Sequence, residues 1–155
     1  MRALYDVNVL IAMFDDEHLH HGPTMRWHAD NGANGWATCP ITQNALIRIM
    51  SQPTYTRPLT TRQVAQRLYE STLAPHHEFL PCSVSLANPT VVAFDALTSH
   101  KTTTDIYLLA LAVAHGARFV TFDRGLSLRA VVGATSAHLV TLKQLIIRSE
   151  KQDSA

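Results

Sequence analysis

The chain has 155 residues, 46% hydrophobic and 16% charged, which describes one globular domain with a sizeable core and excludes a disordered polymer. Lys and Arg number 13 against 12 Asp and Glu, so the balance argues against broad electrostatic wrapping of a polyanion, though not against a small site where a metal supplies the positive charge. The apolar stretch Val9 to Phe14 is too short for a signal peptide or a membrane span and runs straight into Asp15, Asp16 and Glu17, so a cytoplasmic protein without membrane contact is expected.

Residues 2–6 read as a buried strand and 7–14 as a short helix. A turn rich in His and acid follows, then a helix over 24–31 behind Pro23, ended by the Gly- and Asn-rich turn 31–35. Residues 36–39 form a short strand, and Pro40 is placed as an early residue of a helix that runs to Met50. Pro53 and Pro58 mark a loop. Thr60 and Thr61 supply start chemistry for a helix over 62–73 whose Val64, Leu68, Tyr69 and Leu73 trace an apolar face.

A strand at 79–82 and a helix opened by Asn88-Pro89 and running to Leu97 come next. The segment 105–114 is apolar on most sides, which predicts a deeply placed helix ended at His115-Gly116. A strand at 118–122, a turn at Arg124-Gly125, a strand near 138–140 and a helix at 142–149 complete the pattern. Strands alternating with helices predict an α/β domain with a mostly parallel sheet covered on both faces. No linker or repeat divides it. Cys39 and Cys82 adjoin prolines without metal-ligand spacing and are expected to be buried free thiols.

Asp6 ends the first strand, Asp123 ends the run 118–122, and Asp105 follows three threonines at the head of an apolar helix. Each has an ordinary structural use: Asp6 as a helix cap, Asp105 against a helix dipole, Asp123 in a turn. Parallel pairing, however, carries such junctions to one edge of the sheet, where α/β domains bind ligands. Like charges brought together there point to a cation, and oxygen donors point to Mg²⁺ or Mn²⁺. Such an ion activates water for attack on a phosphodiester.

Other chemistries find less support. A haloacid-dehalogenase-like phosphatase requires Asp-x-Asp, but Asn8 stands where the second Asp belongs. No glycine-rich phosphate loop is present. The histidines at 18, 20, 21, 76 and 77 read as solvated loop residues, and Trp27 and Trp36 as core or interface residues. Arg48 faces either the crevice or a partner.

Four segments in this order carry a family likeness: Asp6-Val7-Asn8-Val9-Leu10, the run from Trp36 to Thr42, the run from Thr104 to Ala112, and Val120-Thr121-Phe122-Asp123. They resemble the PIN-domain ribonucleases, specifically VapC-type toxins of bacterial type II toxin–antitoxin pairs, over residues 1–147, leaving 148–155 as a C-terminal tail. The resemblance implies a three-layer α/β/α fold and an Mg²⁺- or Mn²⁺-dependent endoribonuclease acting on structured cellular RNA such as tRNA or ribosomal RNA. It also implies a homodimer neutralised by a cognate antitoxin protein.

Carried over by residue, the resemblance makes Asp6, Asp105 and Asp123 the catalytic metal ligands, with Asn8 and Thr104 orienting them. The family's second acid falls at Gln43. An amide there keeps shape and a carbonyl oxygen but loses a negative charge, so Gln43 is expected as a weakened fourth member of the catalytic set, with Gln43→Glu raising activity. The alternative is a catalytically inactive module that binds RNA or antitoxin without cleavage.

Overall fold

A computed structural model describes residues 1–143 of the chain. Among these, five strands form one sheet in the order β3-β2-β1-β4-β5, with every pairing parallel. The strands are β1 (Ala3–Tyr5), β2 (Trp36–Thr38), β3 (His77–Phe79), β4 (Arg118–Thr121) and β5 (Leu139–Thr141). The helices are α1 (Val7–Phe14), α2 (His21–Asn31), α3 (Pro40–Met50), α4 (Thr61–Thr72) and α5 (Thr103–Ala114).

The period-two alternation of the short central strands sends their side chains into two separate cores. Leu4, Ala37 and Phe119 pack on one face with Ile106, Leu109 and Leu111 of α5. Ala3, Tyr5, Trp36 and Val120 pack on the other with Val9 and Leu10 of α1, Leu46 of α3 and Val64 and Leu68 of α4. Two cores divided by one sheet make the three-layer α/β/α architecture expected from the sequence. Trp36 is buried and stacks on Tyr5, with ring centroids 5.7 Å apart, in keeping with a core role. No helix of the described residues is long and apolar enough to cross a membrane.

From β1 the chain builds outward through β2 and β3 on one side, and through β4 and β5 on the other. The strand order therefore reverses between β1 and β4, the place where open parallel sheets leave a crevice beyond their carboxyl ends. Asp6 leaves β1 at that point and Asp123 follows β4. Because α5 leads into the start of β4, its own N-terminal turn, which carries Asp105, lies back at the same edge.

Several elements differ from the sequence pattern. Residues 88–97 form no α-helix: Asn88 Oδ1 accepts from Thr90 N at 3.0 Å, and Val92 pairs antiparallel with Val131. Val132 N donates to Val91 O at 2.9 Å and Ala93 N to Ala130 O at 3.1 Å, so backbone groups a helix would use are spent on a neighbouring loop. The third strand lies two residues earlier than expected, since Trp36 pairs with His77 and Thr38 with Phe79, while Pro81 has no N–H to extend the ladder. Helix α2 starts at His21, with Pro23 inside its first turn, where a missing N–H costs nothing. Cys39 is buried but Cys82 is exposed, and both are free thiols. The helix expected at 142–149 and the tail at 148–155 lie outside the described residues, apart from Leu142 and Lys143, which form no regular element.

Candidate active site

Asp6 sits at the N-cap of α1 and is only 3% exposed. Its Oδ1 accepts from Val7 N at 2.6 Å and its Oδ2 from the Thr121 hydroxyl at 2.6 Å. The capping role and the edge position are thus the same geometry, and neither excludes the other. Burial pushes the Asp6 pKa above the ordinary carboxylate value. The Thr121 and Val7 hydrogen bonds oppose that rise, and the charge of Asp123 adds to it.

Asp105 projects from the first turn of α5, preceded by a single 3-10 turn and not by a strand. Burial, then the charges of Asp6 and Asp123, push its pKa up to about 6. Asp123 is exposed, and its Oδ2 accepts from Asn8 Nδ2 at 3.4 Å. One carboxylate oxygen from each of Asp6, Asp105 and Asp123 lies within 4.8 Å of the others. Among the described residues this is the one group of His, Cys, Asp or Glu side chains with that geometry.

Asn8 is fastened at both ends: its Oδ1 accepts from Phe122 N at 3.3 Å and its Nδ2 donates to Thr121 Oγ1 at 3.2 Å. Thr104 lines the cavity beside Asp105 without a hydrogen bond to the acids. That cavity, about 770 Å³, holds the three aspartates on one side and Asn44, Ala45 and Arg48 of α3 on the other.

Gln43 does not line it. Its Nε2 donates to Thr38 Oγ1 at 2.9 Å, and the same hydroxyl meets His77 Nε2 at 2.9 Å. The neighbouring residue Asn44 takes the cavity-facing place, a consequence of the 100° turn between successive helix residues. Arg48, left open between crevice and partner by the sequence, is in the crevice.

Thr121 is the site residue that sequence reasoning missed. It is fully buried at the end of β4, donates to Asp6, and accepts from Asp123 N at 3.1 Å. A threonine two residues before an acid at a strand end was the available signal. The histidines do not join the cluster: His21 Nδ1 is 2.8 Å from Ala12 O, and the His20 ring stacks on Phe122 at 4.8 Å.

Three carboxylates with oxygen atoms this close, at an open cavity and with two of them, Asp6 and Asp105, resisting ionisation, fit a hard divalent cation. The domain is thus a parallel three-layer fold with an acid cluster at its switch point that could hold a metal ion. The PIN domain family model matches residues 3–132, and the chain belongs to that family. Within it, the chain is 47% identical over 142 residues to Ribonuclease VapC44 of Mycobacterium tuberculosis, an alignment covering 92% of this chain and 100% of that protein. It is 40% identical over 134 residues to Ribonuclease VapC39 of the same organism, covering 86% and 96%. Its fold is similar to a chain of VapBC2 from Rickettsia felis bound to a promoter DNA fragment, with a TM-score of 0.54 at 15% identity, covering 79% of this chain and 89% of that one.

Proposed function

We propose that the protein is an Mg²⁺- or Mn²⁺-dependent endoribonuclease, the toxin of a toxin–antitoxin pair, acting in the cytoplasm on structured cellular RNA such as tRNA or ribosomal RNA. The observation that carries this reading is the meeting of Asp6, Asp105 and Asp123 at the β1–β4 switch point in a chain with VapC ribonucleases as its relatives. The cognate antitoxin belongs to the same proposal, supported by the VapC relatives and by the fold shared with a VapBC assembly, and a homodimeric state is added as what the family resemblance implies.

In this reading Asp6, Asp105 and Asp123 hold the cation. An ion held there would supply a polarised water and offset charge on the phosphate. The protein's share is orientation. Thr121 and the Val7 N–H keep Asp6 in one rotamer, Asn8 aims Asp123 while bridging to Thr121, and α5 delivers Asp105 from a rigid, buried helix. Thr104 borders the place where substrate meets Asp105. Gln43 stands at the family's fourth position as a neutral amide that steadies Thr38 outside the cavity, so the three aspartates carry the carboxylate charge of the site.

A second reading, an inactive module that binds RNA or antitoxin without cutting, draws on the neutral Gln43 amide and its commitment to Thr38. Incubating the purified protein with total RNA in Mg²⁺, in Mn²⁺ and in EDTA separates the two. Cleavage dependent on either ion and lost in Asp6→Asn and Asp105→Asn is the expected result. A wild-type protein inert with both ions would favour the binding module.

A further inference from the structure

A divalent ion offsets only two of the three charges of Asp6, Asp105 and Asp123 when all are ionised, so the occupied site keeps a net negative charge and gives a polyanion little long-range attraction. Attraction for a polyanion must come from elsewhere on the chain. With 13 basic against 12 acidic residues, it cannot come from a general excess of positive charge. It has to be local.

The cavities supply it. On one side, the exposed Arg48 stands on the α3 wall of the cavity that contains all three aspartates. On the other, a separate cavity of about 240 Å³ is lined by Lys101, Thr102, Arg124 and Gly125 together with Asp105 and Asp123. Asp105 and Asp123 are common to both cavities and lie between the two sets of cations. Lys101 belongs to the 3-10 turn that leads into α5, and Arg124 directly follows Asp123, so each cation sits on the segment that positions a metal-site acid. Among the described residues none of the three pairs with a carboxylate, whereas Arg2 pairs with Glu78 and Arg57 with Asp15, Asp16 and Glu17.

We propose that Arg48 on one flank, and Lys101 with Arg124 on the other, grip the phosphates on either side of the scissile one, drawing a single RNA strand across the acid cluster through both cavities. The proposal rests on the nuclease reading of the same site. A guanidinium on a helix wall offers a forked pair of donors to one phosphate, while the Lys101–Arg124 side offers two separate positive charges. A backbone-tracking groove of this kind suits an unpaired strand, such as the loop of a structured RNA.

The test is fluorescence anisotropy with a short fluorescein-labelled oligouridylate, in EDTA and in Ca²⁺, as a function of salt. The proteins compared are wild type, Arg48→Gln, the double variant Lys101→Gln/Arg124→Gln, and the control Arg67→Gln, an exposed α4 residue that lines neither cavity. Each flank variant should bind severalfold more weakly than wild type. The slope of log K against log salt should fall by about 0.7 for each phosphate contact removed, as for single strands, while Arg67→Gln matches wild type.

Wild-type affinity and slope in both flank variants would show that these cations do not contact the RNA phosphates and overturn the proposal. Absence of oligouridylate binding by wild type in both EDTA and Ca²⁺ would overturn it as well. Cleavage is scored separately. A protein that binds through the flanks but cuts nothing retains the grip and loses the nuclease reading. One that cuts with its flank variants binding normally does the reverse.

Discussion

The Thr121 hydroxyl donates a 2.6 Å hydrogen bond to Asp6 Oδ2 across 115 positions of sequence, joining the end of β4 to the end of β1 at the mouth of the site. The same oxygen accepts from Asp123 N at 3.1 Å and faces Asn8 Nδ2 at 3.2 Å, so one buried side chain ties two of the three acids to one another. Thr121→Val keeps the volume and removes the hydroxyl. It should destabilise the protein by about 1–3 kcal/mol, because buried Asp6 loses its 2.6 Å hydroxyl donor. Cleavage in limiting Mg²⁺ should fall by roughly 10- to 100-fold, the usual cost of losing a group that orients a metal ligand. Thr121→Ser should recover most of both. Urea unfolding and a Mg²⁺ titration of activity check these outcomes, and equal stability and metal response in Thr121→Val would deny Thr121 this role.

Asp105 carries the second prediction. Burial and the two neighbouring carboxylates hold its pKa near 6, above the ordinary value of an aspartate in an unfolded chain. Folding therefore favours the protonated acid. In metal-free protein, its contribution to stability is fullest below the unfolded pKa and is lost as pH rises through about 6. Asp105→Asn, neutral throughout, should melt a few degrees above wild type in EDTA above about pH 7, with the gap closing toward pH 4. The effect is kept small by the partial exposure of the side chain. Saturating Mg²⁺ should reverse the order, since wild type alone keeps all three ligands. A metal-free Asp105→Asn melting at or below wild type above pH 7 would contradict the like-charge strain.

Much of this site is readable in the sequence because it depends on topology. Asp6 and Asp123 follow apolar runs that parallel pairing must align, and the apolar surround of 105–114 marks α5 as a buried helix whose start has to meet them. What is not readable depends on local competition. Asn88-Pro89 serves a helix start and a turn equally well, and the choice is made by Val92 pairing with Val131, a contact that no local pattern contains. The direction of Gln43 is decided by a hydroxyl on β2, and Thr121 looks like any strand residue until Asp6 is folded beside it. The grouping of Arg48, Lys101 and Arg124 around shared acids likewise appears only when α3 and α5 have been placed.

A third prediction concerns the long α3–α4 connection, which forms the wall next to α1. Tyr55 OH donates to Asp15 Oδ2 at 2.6 Å, and Arg57 pairs with Asp15, Asp16 and Glu17 just past the end of α1. The bond to an ionised acceptor, with partial burial, pushes the Tyr55 pKa up to about 12, burial being the larger cause. Tyr55→Phe should therefore cost about 1.5–3 kcal/mol in urea unfolding, the range for a hydrogen bond to a charged group. Arg57→Gln should cost less, because Arg57 itself is 40% exposed and two of its three partners, Asp16 and Glu17, lie largely in solvent, where ion pairs contribute little. If Arg57→Gln proved the more damaging of the two, the connection would be held by charge and not by the tyrosine.

Gln43 supplies the last. Its amide donates to Thr38 Oγ1, which in turn meets His77 Nε2, so the side chain is committed to the β2–β3 edge of the sheet. A glutamate at this position can accept from the Thr38 hydroxyl while His77 donates to the same oxygen, so the orientation survives the substitution. From there the new charge acts on the cation only at a distance, screened by water in the open cavity. Gln43→Glu is expected to change Mg²⁺-dependent RNA cleavage by no more than about threefold, equivalent to about 0.7 kcal/mol in barrier. Asn44→Ala, which alters the cavity wall itself, should have the larger effect. A gain of tenfold or more in Gln43→Glu would mean that the new carboxylate leaves Thr38 and enters the cavity, making position 43 the fourth ligand that the family resemblance assigns to it.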